Sequence, residues 1–171
     1  MKKLFTVLLT IFVSMNLQAQ INIYSHRHYE SDKILFKKFT DQTGIKINVI
    51  KGSADQLIER LVSEGNNSPA DILLTVDAGR LYRAKAAGIL QPVESKKMYE
   101  NVPSSMRDPD GYWFGLTVRA RVLVYSKERV KPSQLSTYED LATRKWRGKI
   151  AVRSSSNIYN QSLMASMIAA N

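Results

Sequence analysis

The chain has no cysteine in 171 residues. That excludes disulfides, zinc-thiolate sites and thiol nucleophiles. It also removes a lipid attachment point from the end of the leader. Long hydrophobic runs are equally scarce. One lies at the amino terminus, and no other approaches the length needed to span a bilayer. Several catalytic signatures are missing too. There is no glycine-rich phosphate loop, no nucleophile elbow and no His-x-x-x-His pair. The formal charge is +10, yet the cations are scattered and form no run resembling a nucleic-acid arm. A solvated basic surface is the reading taken, and no nucleic-acid partner is expected.

Residues 1–19 have the order of a secretory leader. Lys2 and Lys3 precede an apolar stretch from Leu4 to Val13, and Leu17-Gln18-Ala19 ends on a small residue ahead of Gln20. The mature chain is therefore expected outside the cytoplasm. About 150 residues can build one core, or one lobe and part of another.

From Gln20 the pattern runs strand, helix, strand, helix, strand, helix. Gln20–Tyr24 and Ile45–Ile50 alternate as strands do, while Asp71–Val76 is a continuous apolar run expected of a buried parallel strand. Ser31–Gln42 carries Ile34, Leu35, Phe36 and Phe39 at near-helical spacing, with Gly44 placed to end the helix. Ser53 to Gln56 reads as a capping box for a helix bearing Leu57, Ile58, Leu61 and Val62 and ending near Gly65. A short helix spans Gly79–Ala87, stopped by Gly88. This βαβαβα order predicts a parallel sheet with helices on both faces.

A turn-rich passage follows, with Pro92, Pro103 and Asp108-Pro109-Asp110-Gly111. Trp113 and Phe114 are expected to pack at an interdomain turn. Strands are predicted at Val118–Tyr125 and Lys149–Val152, a short helix at Ser136–Ala142, and a final helix over Asn160–Ala170. The last αβ unit has too little sequence for a core of its own, so a truncated second domain is expected. No internal repeat or low-complexity segment is present.

Four constellations could carry chemistry. Ser25-His26-Arg27-His28-Tyr29 leaves the first strand at its carboxyl end, where open α/β folds bind ligands. A phenol beside an imidazole offers oxygen and nitrogen donors to a metal. His26 and His28 alone are a weak zinc signal, and a polar loop is the plainer reading. Arg153 to Ser162 places three serines, Asn157 and Tyr159 at a helix start, where Ser155 and Asn157 could help hold an anion. Simple capping by Ser156 or Asn157 would use only one of them. Arg119 and Arg121 project from one face of an extended strand and would repel unless something anionic lay between them. Asp77 follows the third strand as a helix cap and could also line a site.

Taken together, these ordered segments resemble the periplasmic ferric-iron-binding proteins, the substrate-binding components of iron(III) ABC transporters. The segments are Tyr24–Tyr29, Ser68–Asp71, Thr75–Arg80, Trp113–Gly115, Arg119–Val122, Leu135–Leu141 and Ser154–Ser162. The similarity runs from about residue 21 to the end and is nearest to members that bind iron mainly through tyrosines. It implies an α/β fold of the periplasmic-binding-protein type II class, with two lobes and a hinge. The first lobe would cover residues 20–121 and the start of the second 122–171. The implied Fe(3+) ligands are Tyr29 and Tyr159, with His28 in some members. Arg119, Arg121, Ser155, Asn157 and Asp77 would lie around them. Family members also use a pair of adjacent tyrosines, and no Tyr-Tyr pair occurs here.

The chemistry agrees with that resemblance. Ferric iron is a hard cation that prefers anionic oxygen. A phenol has a reference pKa of about 10, and a coordinated trivalent ion holds it deprotonated. Nearby guanidiniums would balance the surplus negative charge or hold an accompanying anion. The resemblance implies no enzymatic activity, a monomer, and an inner-membrane permease and ATPase as partners. Two other readings were weighed. One is a protein of the same fold that binds an oxyanion or small organic anion at Ser154–Asn157 and Arg119/Arg121. The other is an exported metal-dependent hydrolase, which lacks the carboxylate base it would need beside His28 or Tyr159.

Overall fold

The computed structural model describes residues 19–27 and 29–170. The predicted leader, apart from Ala19, and His28 lie outside the described residues. Three parallel strands form the sheet: β1 (Gln20–Ser25), β2 (Lys46–Lys51) and β3 (Ile72–Leu74), in the order β2-β1-β3. β1 is central. It pairs along its whole length with β2, from Gln20 opposite Lys46 to Ser25 opposite Lys51. It pairs with β3 only from Ile23 opposite Ile72 to Ser25 opposite Leu74.

Two crossovers leave β1 and β2 in opposite directions across the sheet. Right-handed connections then put helix α1 (Glu30–Thr43) on one face and α2 (Ala54–Glu64) on the other. Both helices end as the sequence predicts. Gly44 adopts φ 72° and returns its N–H to the Thr40 carbonyl, closing α1 with a left-handed cap. Ser53 and Gln56 form a reciprocal capping box at the start of α2. Helices α3 (Ala78–Ala86), α4 (Lys96–Asn101) and α5 (Ile158–Ala170) complete the set.

The core lies under α2. Tyr24 of β1 is wholly buried against Leu57 and Leu61. Its hydroxyl donates to both carboxylate oxygens of Glu64, at 2.8 and 2.9 Å. Burial first, and then this bond, pushes the Tyr24 phenol above its usual pKa. Ser68 and Arg60 donate to the same carboxylate and hold Glu64 below the usual range. On the other face α1 buries no residue, and its predicted apolar stripe is only partly covered: Phe36 and Phe39 are half-buried while Ile34 and Leu35 face solvent.

Several predicted elements differ from what forms. The Asp71–Val76 run makes a ladder only over Ile72–Leu74, and Ile72 is 46% exposed. β3 is an edge among the described strands, and its pairing ends at the Leu74 carbonyl, which accepts from the His26 N–H at 3.0 Å. The strands predicted at Val118–Tyr125 and Lys149–Val152 do not form among the described residues. The strand pattern survives in the burial: Arg121, Leu123 and Tyr125 are half-buried, whereas Val122 and Val124 are exposed. Alternation sets which side of a strand is apolar, but only a partner chain can form the ladder, and no described residue supplies one. The helix predicted at Ser136–Ala142 shrinks to a 3₁₀ turn at Glu139–Ala142, because the Asp140 carboxylate accepts from the Ser136 and Thr137 N–H groups. Helix α4, which Ser95 caps, was not anticipated.

The passage Asp108–Gly115 is tied down from two sides. Lys85 of α3 donates to the buried Asp108 carboxylate at 2.9 Å and to Asp110 at 2.8 Å. Phe114 meets the Tyr99 ring edge-on at 5.8 Å between centroids. Beyond it, an open groove of ≈ 1430 Å³ is lined by residues of the Val118–Tyr125 and Lys149–Val152 segments and of α5, among them Val122, Val124, Ile150, Val152 and Leu163. Tyr159, Arg119 and Arg121 also line it. Among the described residues, no helix is long and apolar enough to cross a membrane.

Candidate metal centre

The carboxyl ends of β1 and β3 deliver two loops to one place. The loop after β1 carries Tyr29, whose extended backbone (φ −81°, ψ 140°) turns the chain into α1. The loop after β3 carries Asp77, which caps α3 by accepting from the Gly79 N–H at 3.0 Å. The first turn of α5 brings Tyr159, and the segment after Gly115 brings Arg119 and Arg121.

Arg119 joins the two tyrosines. Its Nη1 donates to the Tyr159 hydroxyl at 3.1 Å, and its Nη2 donates to the Tyr29 hydroxyl. Other guanidiniums crowd the same rings. Arg121 and Arg153 lie over Tyr159, 4.5 and 5.5 Å from the centroid, and Arg27 lies 5.0 Å from that of Tyr29. Arg27 is itself held by Asp32 at 3.0 Å. Asp77 approaches Arg121 at 3.8 Å. Two phenols thus converge inside a ring of positive charge. Such oxygens would suit a hard, highly charged cation, which would convert them to phenolates and leave the guanidiniums to balance their charge.

The other residues singled out from sequence divide into two groups. Arg121 lies over the Tyr159 ring, and Asp77 reaches the tyrosines only through Arg121. Asn157 is spent on α5, where its Oδ1 accepts from the Tyr159 N–H at 3.1 Å. The serine cluster is folded onto itself: Ser154 and Ser156 hydroxyls are 2.9 Å apart, and the Ser155 carbonyl accepts from Gln161. These bonds are those of a helix entry, so the oxyanion reading is not favoured. His26 turns away toward the Gly52 carbonyl, 3.3 Å from its Nδ1. No cluster of three or more His, Cys, Asp or Glu capable of holding a metal exists among the described residues.

Sequence reasoning missed three contributors. Arg27 and Arg153 were read only as parts of longer motifs, and Ser162, whose hydroxyl donates to the Asp77 carboxylate at 2.7 Å, was given no role. Their signal was faint, because nothing in a linear sequence says that a cation will stack on a particular ring.

The family of bacterial extracellular solute-binding proteins matches residues 35–170. The chain belongs to that family. Iron uptake protein A1 of Synechocystis is 59% identical over 154 residues, which is 90% of this chain and 43% of that protein. Among solved structures, a Trichodesmium protein (IdiA, FutA) in complex with iron and citrate superposes with a TM-score of 0.85. It is 57% identical, with 90% of this chain and 48% of that one covered. The ferric binding protein of Campylobacter jejuni gives a TM-score of 0.80 at 46% identity, covering 87% and 48%. The chain therefore has the α/β fold of the type II periplasmic binding proteins, and it spans under half the length of these relatives.

Proposed function

We propose that this chain carries the amino-terminal part of an extracytoplasmic binding protein that captures ferric iron and hands it to an ABC importer. One observation carries the reading: Tyr29 and Tyr159, from opposite ends of the described chain, meet on a single guanidinium. The iron names of the relatives and the iron-bound Trichodesmium structure support the choice of metal.

Iron enters between Tyr29 and Tyr159 and displaces their protons. Arg119 then shifts from bridging two phenols to neutralising two phenolates, with Arg121 and Arg153 sharing the load. His28 is a further ligand in this reading, and the positive surround favours iron that arrives with an anion such as citrate. Residues 20–121 form the first lobe and 122–171 begin the second, so the metal bridges the cleft. Bridging gives the ligand a higher affinity for the closed form, which is what drives closure. The protein performs no reaction of its own and acts as a monomer. A permease and an ATPase of the inner membrane receive the iron.

The test is a visible absorption titration of the chain with ferric citrate, alongside Tyr29→Phe and Tyr159→Phe. A broad phenolate-to-iron charge-transfer band, weakened in both variants, is the expected result. A band unaffected by either substitution removes both tyrosines from the metal.

A further inference from the structure

Asp77 has more partners than a helix cap needs. It is also the only non-glycine residue with positive φ among those described, at φ 76° and ψ 130°. L side chains rarely adopt that backbone. Its side chain is 6% exposed. Oδ1 accepts from the Gly79 N–H at 3.0 Å, which is the cap, and from the Ser162 hydroxyl of α5 at 2.7 Å. Oδ2 lies 3.8 Å from Nη2 of Arg121, whose guanidinium covers the Tyr159 ring.

The backbone next to it is shaped for the same contact. A Cβ on Gly79 would stand 3.2 Å from the Cδ1 of Ile158, tighter than ordinary packing. Ile158 is the buried first residue of α5 and immediately precedes Tyr159. The start of α3 therefore touches α5 where Gly79 meets the Ile158 side chain, through the Ser162 hydroxyl donated to Asp77, and through Arg121 over Tyr159. Capping alone would be met by an asparagine or serine with ordinary φ.

We propose that Asp77 is a positioning residue, a latch that clamps α5 to the sheet and so aims Tyr159 at Tyr29. It holds the two tyrosines in register before any metal arrives, and it does not coordinate the metal. Pre-set geometry reduces the ordering that binding must supply. The consequence for iron rests on the function proposed above, whereas the latch does not.

The absence of cysteine makes the test clean. Cysteines at the exposed positions Lys38 (α1) and Ala165 (α5) would each carry a spin label, and the inter-label distance distribution would be measured without metal. Ser162→Ala removes only the cross-contact, and Asp77→Gly keeps the backbone conformation while deleting the carboxylate. Both are expected to broaden and lengthen the distribution. Both should also raise the ferric citrate midpoint by about tenfold while leaving the charge-transfer maximum unmoved, since the ligands remain. Unchanged distances in both variants overturn the latch. So does a displaced maximum in Asp77→Asn, which would make Asp77 a ligand. Altered distances in a chain that binds no iron would uphold the latch and show that Tyr29 and Tyr159 do not hold iron by themselves.

Discussion

The guanidinium of Arg119 donates to the Tyr159 hydroxyl at 3.1 Å while its second nitrogen reaches Tyr29. A planar fork can span two phenols in this way, and a point charge cannot. Arg119→Ala is therefore expected to weaken ferric binding. A charge-assisted bond is worth ~1.5–3 kcal/mol, and the exposure of Arg119 reduces that to about 1 kcal/mol, roughly a fivefold loss. Arg119→Lys should fail to restore it. An affinity unchanged in both variants would detach Arg119 from the site.

Metal capture by neutral phenols must release protons. In weakly buffered solution at neutral pH, each iron bound should release roughly two protons if Tyr29 and Tyr159 both coordinate. Tyr159→Phe should lower that count by about one. The affinity should rise with pH for the same reason. Potentiometric titration reads the stoichiometry directly, and a count of zero would place the metal elsewhere.

In the core, size should outweigh hydrogen bonding. Leu57 of α2 is buried against Tyr24, so Leu57→Ala is expected to cost about 2–5 kcal/mol of stability. Tyr24→Phe keeps the ring and loses the bond to Glu64, which retains Arg60 and Ser68 as partners. Its cost should stay near 1 kcal/mol. Urea unfolding of the two variants checks the order, and the reverse order would put the weight on Glu64 rather than on packing.

Asp108 should make the fold sensitive to acid. Burial works to raise its carboxyl, but the Lys85 ammonium and the N–H groups of Tyr112 and Asp110 outweigh that and hold it below the ordinary range. A depressed folded-state pKa adds stability above the unfolded value and loses it as pH falls through the folded one. The advantage of the wild-type chain over Asp108→Asn should therefore be full near neutrality and shrink below about pH 4. Thermal melts across that range test it, and a difference that does not vary with pH would mean the carboxylate charge is unimportant.

Much of the first half of the fold was legible because its signals are local. The capping box at Ser53 and Gln56, the left-handed stop at Gly44 and the alternation of β2 each involve residues a few positions apart. The site was legible only as candidate residue types. Tyr29, Tyr159, Arg119 and Asp77 stand out chemically, but what Asp77 does beyond capping depends on Ser162, far along the chain.

By itself the sequence determined the type of the elements up to α3 and the caps of α1 and α2, because those follow from neighbouring residues and the periods of helix and strand. The tertiary structure alone decided which extended segments became strands. Gln20–Ser25 found partners on both edges, while Val118–Tyr125, with an equally good pattern, found none among the described residues. It also decided that one arginine would bridge two distant phenols. A ladder and a bridge both require groups distant in the chain to arrive at one place, and side-chain chemistry read in order does not encode that meeting.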